Sequence, residues 1–172
     1  MQKSNLSFKR TPLSRRRLTP TLGIESMNIR HHKLAWRWTD SRYAVLPEDV
    51  LDALHPIDEV EAKQFHELAL SCLGNDGLSS EFNSKIASTE RLSSEEGSNW
   101  LTQQQPMSET EVFLSWDPTV ALKTSWGIFV EYWQEFCYPA SDDLVVFPLT
   151  NNWVLLYHHE EEFHFGRRKV DA

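Results

Sequence analysis

The stretch from Glu111 to Arg168 constrains this chain most, because its apolar period switches there from helical to extended. From Ser125 onward the apolar positions are Trp126, Phe129, Val130, Trp133, Phe136 and Cys137, spaced i, i+3, i+4, i+7, i+10 and i+11 like one face of a helix. Thr124 or Ser125 suits the N-cap, since a hydroxyl oxygen there accepts an orphan backbone N–H. Tyr138-Pro139 predicts the stop, because the residue before a proline is pushed out of the α region. Gly127 in the first turn costs about 1 kcal/mol relative to alanine, which predicts a close backbone approach at that point. Burial of the apolar face contributes roughly 1.5–3 kcal/mol per large side chain before entropy is subtracted. Glu131, Gln134 and Glu135 form the solvent face.

Strands follow the helix. Leu144–Phe147 is a short apolar run closed by Pro148, and Thr150-Asn151-Asn152 is turn chemistry because Asn tolerates the left-handed region. Trp153–His158 alternates, with Trp153, Leu155 and Tyr157 on one face and Val154, Leu156 and His158 on the other. His159–Glu161 reads as the next turn, and Glu162–Gly166 as a strand carrying Phe163 and Phe165. Short connections between neighbouring strands favour antiparallel hairpins. The expected fold class is α+β: two N-terminal helices and one C-terminal helix on a small antiparallel sheet, with a C-terminal three-stranded meander. Val112–Trp116 is a possible fourth strand.

The N-terminal half supplies the other helices. Leu34, Trp36 and Trp38 alternate like a short strand. Pro47-Glu48-Asp49 opens a helix with Val50, Leu51 and Leu54 inward, broken by His55-Pro56. Asp58 caps a longer helix, Glu59–Leu73, with apolar positions Val60, Ala62, Phe65, Leu68, Ala69 and Cys72. Gly74 ends it as a left-handed residue. Residues 74–110 are rich in Ser, Gly, Asn and Gln and read as a loop region. A short helix around Ser80–Arg91 is expected, with packing through Phe82, Ile86, Trp100 and Leu101. The domain reading is a basic, disordered tail over 1–27 and a single α+β domain over 28–172.

Charge separates these two parts. Residues 1–26 carry six basic residues against Glu25, a net of +5, so the chain's −8 leaves −13 on the remaining 146 residues. The tail lacks the apolar region a twin-arginine export signal needs. It reads as an organellar transit peptide, a nucleic-acid arm or, first among these, upstream sequence with Met27 as the true start. The acidic body repels phosphates, which argues against nucleic acid. No apolar run approaches the roughly 18 residues of a membrane span. Hydrophobic content of 40% and aromatic content of 12% suit a packed core. Cys72 and Cys137 read most simply as buried free thiols of a reducing cytoplasm, with a single disulfide as the alternative.

The pattern LKTSWGIFVEYWQEF, the acidic pair in YPASDD, the strand pair closing in FHFGRR and the segment LHPIDEVEA together resemble an uncharacterised bacterial domain-of-unknown-function family, the DUF2947 type. The resemblance covers roughly residues 34–70 and 111–168. It implies a fold and no activity. More loosely, a small acidic protein of this kind is similar to the immunity proteins of toxin systems.

Chemistry-bearing residues concentrate near the C-terminus. His158, Glu160 and His164 are the candidate metal ligands, since imidazole and carboxylate together suit zinc or iron, and a continuous strand would place His158, Glu160 and Glu162 on one face. A solvated hairpin tip accounts for the same residues. Asp142 and Asp143 after Ser141 suit caps for backbone N–H groups of that loop. Cys137 and Ser141 are near in sequence to nothing that identifies a base, and a pairing of Cys137 with His158 or His164 is geometrically open but has no support in the sequence. His66-Glu67 lacks a second histidine four residues on and is no zinc-protease motif. Arg167-Arg168-Lys169 reads as a solubilising strand end or an anion contact. The expected function is a non-enzymatic, cytoplasmic protein-binding domain without a cofactor, an immunity-type inhibitor of a basic toxin. Its contacts would be Asp142, Asp143, Trp100 and Tyr138. The alternative is a metal-dependent hydrolase using zinc or iron at the His158–His164 cluster.

Overall fold

Strand Trp153–His158 has both faces buried, and that decides the architecture. Trp153, Leu155 and Tyr157 enter one hydrophobic cluster and Val154 and Leu156 another, so the sheet carries a layer on each side. A computed structural model describes residues 27–169. The basic tail expected over 1–27 lies, but for Met27, outside the described residues.

A 3-10 turn at Ile29–His31 precedes α1 (Trp36–Thr39), β1 (Ala44–Val45), α2 (Glu48–Asp52) and β2 (His55–Pro56). Next come α3 (Glu59–Ser71), β3 (Leu73–Gly74), β4 (Gly77–Leu78), β5 (Phe82–Ser88) and α4 (Ser94–Gln104). The C-terminal part is β6 (Glu111–Asp117), β7 (Val120–Ser125), α5 (Trp126–Glu131), α6 (Trp133–Phe136), β8 (Leu144–Phe147), β9 (Trp153–His158) and β10 (Glu162–Arg168). Seven strands form one antiparallel sheet in the order β2-β7-β6-β8-β9-β10-β5. The fold is α+β. Helix α3 covers one face through Ala62, Phe65 and Ala69 against Phe113 and Phe147. On the other face α5 and α6 pack Trp126, Phe129, Trp133 and Phe136 against Leu114, Val146 and Phe163. No helix among the described residues is long and apolar enough to cross a membrane.

Much of the local chemistry is as expected. Asp58 accepts from the N–H groups of Val60 and Glu61, Ser125 accepts from Ile128 N–H, and β8–β9–β10 is the meander. Gly127 donates its N–H to Ser108 O at 2.8 Å, and a Cβ there would stand 3.1 Å from Ser108 Cβ. Both cysteines are free and buried.

Other segments differ. Leu34–Trp38 is not a strand: α1 buries Ala35 and Trp38, three residues apart, and leaves Trp36 exposed. Three residues of alternation cannot separate period 2 from one helical turn. The C-terminal helix breaks at Tyr132 (φ −115°, ψ 28°). The break turns Trp133 toward α4, where its Nε1 donates to Ser94 O at 3.0 Å. Residues 82–88 are strand β5 rather than helix, because β10 leaves an open edge that pairs through Phe82↔Arg168 to Ser88↔Glu162. Pairing overrides propensity here, and it leaves Ile86 exposed. Residues 94–104, expected as loop, are a helix started by a capping box between Ser93 and Glu96. Val60 and Leu68 of α3 face solvent. The left-handed glycine is Gly77 (φ 128°), at the β3–β4 turn, and not Gly74.

Candidate functional site

One end of the molecule carries the candidate site, where α1, the α6–β8 loop and the β9–β10 turn meet. The sequence Trp36-Arg37-Trp38 makes one helical turn, so Trp38 enters the core, Trp36 faces out, and Arg37 is buried between them. Arg37 forms a bidentate pair with Asp142: Nη1 donates to Oδ2 at 2.5 Å and Nη2 to Oδ1 at 2.9 Å. Both side chains are 6% exposed. Asp142 Oδ2 also accepts Tyr138 N–H at 3.0 Å, as expected for a loop cap. Taking two charges out of water is costly, and fork-to-fork geometry is what offsets it.

Above the ion pair lies an aromatic ledge. The Arg37 guanidinium is 4.1 Å from the Tyr138 ring centroid and 5.4 Å from that of Trp36, a cation–π arrangement. Trp36 meets Tyr43 edge-on at 4.5 Å and Tyr138 at 5.7 Å. Tyr43 is 53% exposed and Trp36 39%.

The next residue faces the other way. Asp143 Oδ1 accepts from His159 N–H at 3.1 Å and lies 2.9 Å from His159 Nδ1. Partial burial favours the neutral acid, but the hydrogen bonds from His159 dominate and hold the Asp143 carboxyl below its usual range. His158 and His159 have ring centroids 4.1 Å apart. Potential ligand atoms of Asp143, His158 and His159 all lie within 4.8 Å of one another. The set expected from sequence was His158, Glu160 and His164. The turn at residues 159–161, with Glu161 at φ 62°, ends the strand at His158. Glu160 consequently projects into solvent, 3.9 Å from His158 Nδ1. His164 is buried, its Nε2 is 2.9 Å from Glu162 Oε2, and its Nδ1 faces Gly77, where a Cβ would approach to 2.5 Å.

A cleft of about 330 Å³ opens beside this cluster, walled by His66, Leu73, Gly77, Trp116, Asp143 and His158. His66 Nδ1 is 3.1 Å from Ser115 Oγ. The register of β6 shifts between Ser115 and Asp117, and such a bulge re-aims the intervening side chain, here Trp116. Its Nε1 donates to Phe136 O at 3.3 Å. A hollow of about 220 Å³ on the far side of Asp143 touches Leu34, Trp116, Ser141 and Asp142. His32 stacks on Trp38, ring centroids 5.7 Å apart, and lies 6.4 Å from the Trp116 ring. Burial lowers its pKa from 6.5, opposed by the Ala121 carbonyl.

The remaining sequence candidates have structural places. Trp100 stacks on Phe163 at 5.7 Å and 15° and belongs to the core wall. Asp142 is buried on Arg37, so it offers no free carboxylate to a partner. Cys137 is buried, and desolvation, reinforced by Asp142, pushes its thiol well above 9, which disarms it as a nucleophile. Arg167, Arg168 and Lys169 donate to the carbonyls of Gln104, Asn151 and Ser80, which ties down the strand end. Arg37, Trp36 and Tyr43 escaped the sequence reading. Their signal was an arginine between two tryptophans in a body otherwise rich in acid. No family model, curated protein or solved structure matches the chain.

Proposed function

We propose that this protein is a non-enzymatic binding domain that docks a basic protein on the Trp36–Tyr43–Tyr138 ledge, in the manner of an immunity-type inhibitor acting in the cytoplasm. The observation that carries the reading is the ledge itself: exposed Trp36 and half-buried Tyr138 held by a buried Arg37–Asp142 pair, with exposed Tyr43 edge-on to Trp36. Trp, Tyr and Arg dominate the binding energy of protein interfaces. Trp36 and Tyr138, already packed on a guanidinium, lose little entropy on docking. The net −13 of residues 27–172 attracts a basic partner over long range. Two buried free thiols support a reducing setting. Of the expected contacts, Tyr138 belongs to this ledge.

The test is capture from source-cell lysate on the immobilised full chain, beside a Trp36→Ser/Tyr43→Ser variant, at low and high salt. One basic protein held stoichiometrically by the wild type, released by salt and not held by the variant is the expected result. Equal capture by the variant, or no partner on the wild type, overturns the reading.

A further inference from the structure

We infer that Asp143, His158 and His159 form a binding site for a borderline transition cation, Zn²⁺ above all, opening on the cleft beneath α3. Two imidazoles and one carboxylate are the donor set such ions select over Mg²⁺ or Ca²⁺, which prefer all-oxygen shells. The three side chains come from positions that the sheet holds together. Asp143 immediately precedes β8, His158 ends β9, and Leu144 pairs with Tyr157 across them. Ala140 N–H donates to His159 O at 3.2 Å and stitches the two loops. Sites anchored at strand ends are held more tightly than sites on free loops.

Ligand atoms within 4.8 Å of one another need only small shifts, the His159–Asp143 pair outward from 2.9 Å and any wider pair inward. Around a tetrahedral ion with bonds of about 2.1 Å they stand roughly 3.4 Å apart. In the present arrangement His159 Nδ1 and Asp143 Oδ1 share a hydrogen bond at 2.9 Å, and the ion takes the place of that contact. Three protein ligands leave coordination positions for water or a small oxygen-donor ligand. Two of the three, Asp143 and His158, are also walls of the 330 Å³ cleft, which has His66 on its lining. His164 is excluded from the set by its bond to Glu162. This inference is independent of the docking ledge: either stands if the other fails.

The experiment uses the full chain without a polyhistidine tag, stripped with chelator and titrated calorimetrically with ZnCl₂. Co²⁺ absorption reads the ligand geometry. One equivalent of Zn²⁺ bound, with no binding of Mg²⁺, is expected. Asp143→Asn and His159→Gln should each weaken it by at least the roughly tenfold that even outer-sphere changes cause, with the melting temperature lowered by no more than about 5 °C. His31→Gln/His32→Gln should leave it intact. No saturable Zn²⁺ binding by the wild type, undiminished binding by His159→Gln, or loss in the His31/His32 variant overturns the assignment.

Discussion

Asp142 and Asp143 are neighbours in sequence and opposites in environment. Asp142 is turned into the protein, paired with Arg37 and close enough to Cys137 to act on its thiol. Asp143 is turned out, half exposed, on a histidine in the wet turn after β9. The cause is the extended chain entering β8, which sends successive side chains to opposite sides. Two adjacent acids thus make one buried structural charge and one half-exposed charge held by a histidine. A run of acids in a sequence is no measure of surface potential until the strand phase is known.

The largest effect should come from breaking the dry side. Arg37→Ala leaves Asp142 buried without its partner and should cost about 3–5 kcal/mol in urea unfolding. Arg37→Met/Asp142→Leu, which removes both charges, should cost much less than that. A single-variant loss near zero would erase the contrast between the two acids.

A middle-sized effect should appear with pH. His32 has a folded pKa below its ordinary 6.5, from burial, so the unfolded chain takes up its proton first. Its contribution is present above about pH 6.5 and is lost as pH falls, with a slope of at most ~1.4 kcal/mol per pH unit. Melting curves between pH 7.5 and 5.5 should fall more steeply for the wild type than for His32→Gln. Parallel curves would show that His32 is not carrying the dependence.

The smallest effect belongs to the wet side. Asp143→Asn should change stability by no more than about 1 kcal/mol, as for exposed ion pairs. A loss as large as that of Arg37→Ala would show both acids to be structural.

The two sides also differ in how far the sequence discloses them. Long apolar periods and side-chain caps carry their own signal: Asp58, Ser125, the β8–β9–β10 meander and the inward face of Trp126 to Cys137 were all legible. The edge strand β5 was not, because Phe82–Ser88 takes its conformation from the partner strand β10 and not from its own residues. Helix α4 was legible in principle through Ser93-x-x-Glu96, but its polar composition hid it. At the site, the role of Asp142 as a cap of its own loop could be read locally, whereas Asp143 caps His159 of the following turn instead. The Arg37–Asp142 pair could not, since it joins residues 105 apart. Of the residues expected as ligands, His158 alone belongs to the proposed cation site; the turn after His158 sends Glu160 into solvent, and His164 is held by Glu162.

The account rests on the aromatic ledge as the contact face, and site-specific photo-cross-linking tests that most directly. p-Benzoylphenylalanine is placed at Tyr43, on the ledge, and in a second protein at Ile86, on the edge strand and 59% exposed. Both are irradiated in source-cell lysate. The expected result is one discrete adduct with a basic protein from position 43 and none from position 86. Adducts from position 86 alone, or from neither position, would contradict it.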